Sequence, residues 1–242
     1  MQLALDQFRV SIARVRDLID VHNYIKSQST PALDLSDILR ASLVLAVSAL
    51  DYYIHEVVTL GMLEIYKGER PQTAAFSRFQ VSLGNTTNDR LMLMNIESWL
   101  ETEIQLSQAG SFLPESPSVS DLLPLISSAI QNKLNQTSLL NDELRENLGY
   151  KSFQKPDKIA DAIRLIYEQK LWDEVAQQMG KSAQDIKQQL SAIVDRRNKI
   201  AHQADIDPSF GIGNRWPIDD RLVSDCVDFL EQLVETIHQV LT

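Results

Sequence analysis

An all-α protein is what this chain of 242 residues predicts: an antiparallel bundle of amphipathic helices with a helical insertion or extension in its middle. Three observations carry that expectation. Apolar residues recur at three- and four-residue spacing along most of the chain, the period of a helical face. The breaks between these runs are rich in Gly, Pro, Ser or Asp, the residues that stop and start helices. One run, Ala41 to Leu50, is apolar on most of its sides, as expected of a central helix packed by neighbours all round.

The elements follow in order. Leu5, Phe8, Ile12, Val15, Ile19 and Ile25 make one face of a first helix ending near Lys26, with Arg9, Arg14, Arg16, Asp17 and Asp20 between them and His22 as a solvated group near its end. Ser27 to Pro31 break the chain, and Asp34 or Ser36 caps the longest helix, which runs to about Lys67. Its stripe is Leu39, Leu43, Ala46, Leu50, Ile54, Val57, Gly61 and Ile65. Residues 71–154 read as an insertion on a single domain of residues 1–242. Within it a helix carries Leu91, Met94, Trp99, Leu100 and Ile104, the stretch from Gly110 to Pro117 is a loop, and another helix runs from Ser120 to about Gly149. Asp157 then begins a helix through Ile166, and Leu171, Trp172 and Val175 form a short one ending at Gly180. Ser182, with Asp185 three residues on, resembles a capping box and starts the next helix. Asp219 caps the last, whose inward stripe is Leu222, Cys226, Phe229, Leu233, Ile237 and Leu241, with His238 as a favourable charge near its end.

Composition bounds the function. A formal charge of −10 argues against the broad basic surface that grips long nucleic acid. It leaves room for a narrow positive cleft, because Arg196, Arg197, Lys199, Arg215 and Arg221 form a local basic cluster. The single cysteine cannot make an internal disulfide, which fits a reducing compartment. No positively charged, apolar, small-residue sequence opens the chain, so no signal peptide is expected. The most apolar run is too short to cross a bilayer before Asp51 interrupts it. A cytoplasmic protein without a membrane partner is the expectation.

The chemistry concentrates in Ile193-Val194-Asp195-Arg196-Arg197-Asn198-Lys199-Ile200-Ala201-His202. Ile186, Leu190, Ile193 and Ile200 mark the inward stripe of this helix, and Arg197 falls on it. A guanidinium facing inward needs a buried carboxylate or an open cleft. His202, the side chain type that exchanges protons near neutral pH, follows five residues later. At 100° per residue this places it about 140° round the helix, so the helix is expected to end or bend between the two. Asp205 and Asp207-Pro208 supply the means. Downstream, Trp216 beside Arg215 suits either stacking of an unpaired base or pinning of the loop to the core. On the long helix Asp51 and His55 share a face four residues apart. They suit a hydrogen-bonded structural pair, a partner orienting Arg197 across the core, or two ligands of a metal site that lacks a His-rich second half.

Arg197-Asn198-Lys199-Ile200-Ala201-His202 resembles the R-N-x-x-x-H signature of the HEPN superfamily of all-helical domains. Ser48-Ala49-Leu50-Asp51-Tyr52-Tyr53-Ile54-His55-Glu56 resembles its early helix, where an acidic residue follows small and apolar ones. Over its whole length the chain is similar to the RiboL-PSP-HEPN type. That resemblance implies a HEPN-type bundle and a metal-independent endoribonuclease without cofactor, working as a toxin or antiviral effector. It implies Arg197, Asn198 and His202 as catalytic residues, with Arg196, Lys199, Arg215 and Trp216 as RNA contacts and Asp51 and His55 in support. It also implies RNA as substrate, a homodimer that brings two motifs to one cleft, and an antitoxin or regulatory protein as a further partner. The alternative is a non-catalytic nucleotide-binding, RNA-binding or protein-interaction module of the same fold.

Overall fold

Seven α-helices are built among the residues that the computed structural model describes, 1–30, 33–79, 137–209 and 213–242. They are α1 (Gln2–Gln28), α2 (Ser36–Tyr66), α3 (Thr137–Gly149), α4 (Pro156–Ile163), α5 (Leu171–Met179), α6 (Ala183–Gln203) and α7 (Asp220–Leu241). Among the described residues the chain is all-α, as expected. It divides into two compact units, residues Met1–Arg78 with Lys151–Thr242, and Phe79–Tyr150. In the second unit the described element is α3, which buries Leu144 and Leu148. The expected helix through Leu91 and Trp99 and the loop from Gly110 to Pro117 lie outside the described residues.

The ends of the expected 71–154 insertion belong to the first unit. Thr73 is buried and its hydroxyl donates to the Leu165 carbonyl at 2.9 Å. Phe153 is buried with its ring centroid 4.5 Å from that of His55.

In the first unit α2 is the axis. α1, α4, α6 and α7 all pack on it, because Leu43, Ala46, Leu50, Tyr53, Ile54, Val57, Val58 and Met62 present apolar surface on several sides and are all fully buried. Burying each large side chain contributes about 1.5–3 kcal/mol, so the helix with the most such residues becomes the one the others cover. By length and composition α2 could cross a membrane, whereas 61% of its most apolar window is buried inside the protein, as in the core helix of a bundle. Near its far end Gly61 lets another segment approach closely, since a Cβ there would lie 2.8 Å from the Ile166 side chain.

The last helix corrects the expected stripe. Its buried face runs through Val223, Val227, Leu230, Val234, Ile237 and Leu241, with Phe229 and Leu233 beside it. Leu222 is 40% exposed and Cys226 is half-buried. The β-branched Val223 and Val227 sit one position round from the residues chosen by spacing alone, and the run admits both registers. Burial still pushes the Cys226 thiol up to about 11, so it is protonated and unreactive at neutral pH. His22 is likewise buried, its Nδ1 2.9 Å from Asn23 Oδ1, where a solvated end was expected.

His238 is also buried, 3.3 Å from the Tyr53 hydroxyl. Burial first, then the positive N-terminus, push its pKa below the ordinary histidine value, so it is a neutral core group and not a helix-end charge. Above the unfolded value of about 6.5 both states are neutral and its contribution to stability is complete. As pH falls below that, the unfolded chain takes up a proton that the folded protein resists, and stability declines until the folded pKa is passed. Urea midpoints should therefore fall on acidification through this window, and less steeply in His238→Phe. Equal pH dependence of the two proteins would contradict the assignment.

Candidate active site at the end of the sixth helix

The helix that carries Arg197 and His202 begins as its sequence dictates. Ser182 is the N-cap, its hydroxyl accepting from the Asp185 N–H at 3.0 Å. Ile186, Leu190, Ile193 and Val194 are buried, and α6 packs by this face on α2, α4 and α5. Arg197 continues the stripe and is half-buried.

No break separates Arg197 from His202. α6 runs on through His202 to Gln203, and only then do Ala204 and Asp205 turn left-handed, at φ +50° and +57°. Asn198, Lys199, Ile200 and Ala201 between the two residues include neither Gly nor Pro and all accept helical backbone, so nothing local stops the helix there. Arg197 and His202 therefore leave α6 in directions about 140° apart.

Arg197 pairs with no carboxylate among the described residues. Its Nη1 donates to Asn198 Oδ1 at 3.1 Å. Its Nε is buried and finds no acceptor among the described residues. His202 is exposed in the last turn of α6. One helix end thus offers a guanidinium with unused donors, an amide touching it, and an accessible imidazole.

The carboxylate that spacing seemed to offer Arg197 is taken by others. Asp205 is fully buried. It accepts from Arg196 through both Nη1 and Nη2, the latter at 2.8 Å, and from Arg40 Nε at 2.7 Å. Both guanidiniums also donate to the Trp216 carbonyl, Arg40 Nη2 at 2.9 Å and Arg196 Nη2 at 3.1 Å. Burial, the largest influence, pushes the Arg196 pKa down, with Asp205 opposing and Arg40 adding to the fall. Arg40, 6% exposed on the otherwise apolar first half of α2, was absent from the sequence reading. Its signal was there: an arginine next to Leu39 on the buried face of the most apolar helix demands a buried acid.

The other expected contacts are rearranged by the same loop. Asp207 N donates to the Asn214 carbonyl and Trp216 N to the Asp205 carbonyl, both at 2.9 Å, so the segments on either side of residues 208–213 run antiparallel. Arg215 is committed to Asp37 and to Asp34, the latter at 2.6 Å. Asp34 is held down to about 2, chiefly by the Ser36 hydroxyl and N–H with Arg215 adding to it. Arg196 and Arg215, expected as RNA contacts, are thus both ion-paired within the chain, Arg196 to the buried Asp205 and Arg215 to the exposed Asp34 and Asp37. Lys199 Nζ sits 4.6 Å from the Trp216 ring centroid, a cation–π contact that occupies one face of the ring.

Asp51 and His55 stand elsewhere. Asp51 accepts from Phe153 N at 2.6 Å and from Gln154 Nε2 at 2.9 Å. His55 Nε2 lies 3.1 Å from the Lys151 carbonyl and 3.8 Å from Asp51. Together they fasten the segment after residue 150 to α2. The notion that Asp51 orients Arg197 is corrected, since both of its oxygens are committed to that segment. No group of three or more His, Cys, Asp or Glu residues suited to a metal ion occurs among the described residues.

The family model described as RiboL-PSP-HEPN matches residues 10–242. No curated protein and no solved structure matches the chain.

Proposed function

The chain belongs to the RiboL-PSP-HEPN family, and on that premise we propose that it is a metal-independent endoribonuclease with Arg197, Asn198 and His202 as its catalytic residues. The observation that carries the reading is the state of Arg197: a partly buried guanidinium beside Asn198, with one donor orphaned among the described residues. A buried donor without an acceptor costs about 1–3 kcal/mol, and a group left in that condition calls for a reason, of which a catalytic role is one. A phosphodiester supplies acceptors of the right kind, and a guanidinium meets its non-bridging oxygens as a fork.

RNA brings its own nucleophile. His202 of one copy takes the 2′-hydroxyl proton as the 2′-oxygen bonds to phosphorus. The bond from phosphorus to the 5′-oxygen breaks, and a protonated imidazole gives that oxygen its proton. Arg197 holds the charge of the pentacoordinate phosphorane, and Asn198 keeps the guanidinium in place. Products are a 2′,3′-cyclic phosphate and a 5′-hydroxyl. One helix sends Arg197 and His202 in divergent directions, so a single copy does not supply acid, base and phosphate clamp at one point. Two copies related by a two-fold axis bring the four side chains to one cleft, and the working form is a homodimer. Lys199 and Trp216 flank the cleft, the ring stacking an unpaired base once Lys199 moves aside. Such an enzyme serves as an RNA toxin or antiviral effector restrained by a regulatory protein.

Labelled single-stranded RNA incubated with the protein in excess EDTA tests this. Cleavage that leaves 5′-hydroxyl and cyclic phosphate ends, and disappears with Arg197→Ala, is the expected result. Binding without turnover would leave a nucleotide- or RNA-binding module in its place. Cutting by the variant at the wild-type rate would trace the activity to a contaminant.

A further inference from the structure

We infer that Arg40 and Asp205 are positioning residues: through the ion-pair cluster they form with Arg196 they stop α6 at Gln203, one residue after His202, and hold that histidine at its working place. The inference rests on the nuclease reading for its catalytic consequence, although the mechanical claim stands without it.

The local sequence sets only an outer limit for α6, since Asp207-Pro208 stops it by about residue 206, and does not by itself place the end at Gln203. Ala204 is the strongest helix former, and alanine is disfavoured in the left-handed conformation it adopts here, which aspartate tolerates better. Two consecutive residues so held persist only where their surroundings determine them. Asp205 supplies that determination. Its carboxylate is fully buried between the guanidiniums of Arg196, one helical stretch upstream, and Arg40, on a different helix. Its N–H returns to the Lys199 carbonyl at 3.0 Å, and its own carbonyl accepts from Trp216 N at 2.9 Å. Arg40 is fixed in turn by the Ser36 hydroxyl at 2.6 Å and the Trp216 carbonyl.

The cluster thus welds the end of α6 to the first turns of α2 and to the segment preceding α7. His202, three residues before Asp205 and exposed, makes no hydrogen bond of its own among the described residues. Its position is inherited from a backbone that the carboxylate anchors. Proton transfer depends on placement to within a fraction of an ångström, so loosening the anchor should impair the chemical step more than RNA binding.

Arg40→Lys keeps the charge and loses the fork that reaches three acceptors. It is expected to lower kcat about tenfold to a hundredfold with KM changed by less than about twofold, as loss of a transition-state interaction requires. Arg9→Gln, which removes an exposed pair with Glu235 between α1 and α7, should leave kcat unaltered. In NMR spectra of Arg40→Lys the His202 imidazole and the amides of residues 201–206 should shift and broaden while the imidazole of His22 stays in place. If Arg40→Lys does not fold, Arg196→Lys, whose side chain is more exposed, takes its place with the same expectation. A folded variant with wild-type kcat and unmoved His202 signals would overturn the inference. Should the wild-type protein cut no RNA, the nuclease reading fails by itself, and the His202 signals alone then decide the positioning claim.

Discussion

His202→Ala is expected to slow RNA cleavage by about a hundredfold to ten-thousandfold, the range that general acid–base catalysis supplies, while melting at the wild-type temperature. The side chain is exposed and bonds to no described residue, so its removal leaves the fold untouched and takes away only a proton acceptor and donor. Arg197→Met should match it in activity and differ in stability. That change breaks no ion pair with a described residue and only the hydrogen bond to Asn198, a buried unpaired Nε is eliminated, and the stem of methionine fills the same stripe. Melting temperature should stay level or rise, the trade-off expected where a site holds a costly group for its chemistry. Single-turnover cleavage and thermal melting of both variants provide the check. A marked fall in the melting temperature of Arg197→Met would identify the arginine as a structural group and remove the chief reason to place phosphate beside it.

Asp205→Asn is expected to cost the most stability of any single exchange near the site, about 3–5 kcal/mol, the consequence of stripping one partner from a buried charge cluster. Two guanidiniums, one of them 6% exposed, would face each other without the negative charge that reconciles them, and the left-handed turn at Ala204 and Asp205 would lose what holds it. For a chain of this size the loss corresponds to a fall in melting temperature of roughly 10 °C. Arg215→Gln gives the contrast. Its partners Asp34 and Asp37 are largely exposed, and such pairs contribute up to about 1 kcal/mol. Equal melting temperatures of the two variants would mean that the Asp205 cluster is solvated and anchors nothing. Since the same exchange should also displace His202, stability and activity need separate measurement at a temperature where the variant is folded.

Patterning on a single helix is what the sequence conveyed well. The run from Ala41 to Leu50, apolar on most of its sides, announced a central α2 because a helix apolar on several faces must be covered by neighbours. Ser182 with Asp185 announced the start of α6 because a cap is a contact between residues three apart. In the last helix Phe229, Leu233, Ile237 and Leu241 are buried as expected, while Leu222 and Cys226 give way to Val223 and Val227, because its first turns satisfy two adjacent stripes and only the neighbours α1, α2 and α5 choose between them.

The basic cluster around residue 196 shows where such reading stops. Arg196, Arg197, Lys199 and Arg215 are equivalent as charges in a sequence, and only the folded chain tells them apart: Arg196 meets Asp205 nine residues on, beside Arg40 from 165 residues away, and Arg215 meets Asp37 across 178 residues. By itself the sequence determined a helical chain, its central helix and the place of the basic cluster along it, since these follow from spacing along one backbone. Which arginine is neutralised and which keeps its donors, and where α6 stops relative to His202, were decided only when packing buried one carboxylate between two helices, because a buried charge takes the partners that geometry brings to it and not those nearest in sequence.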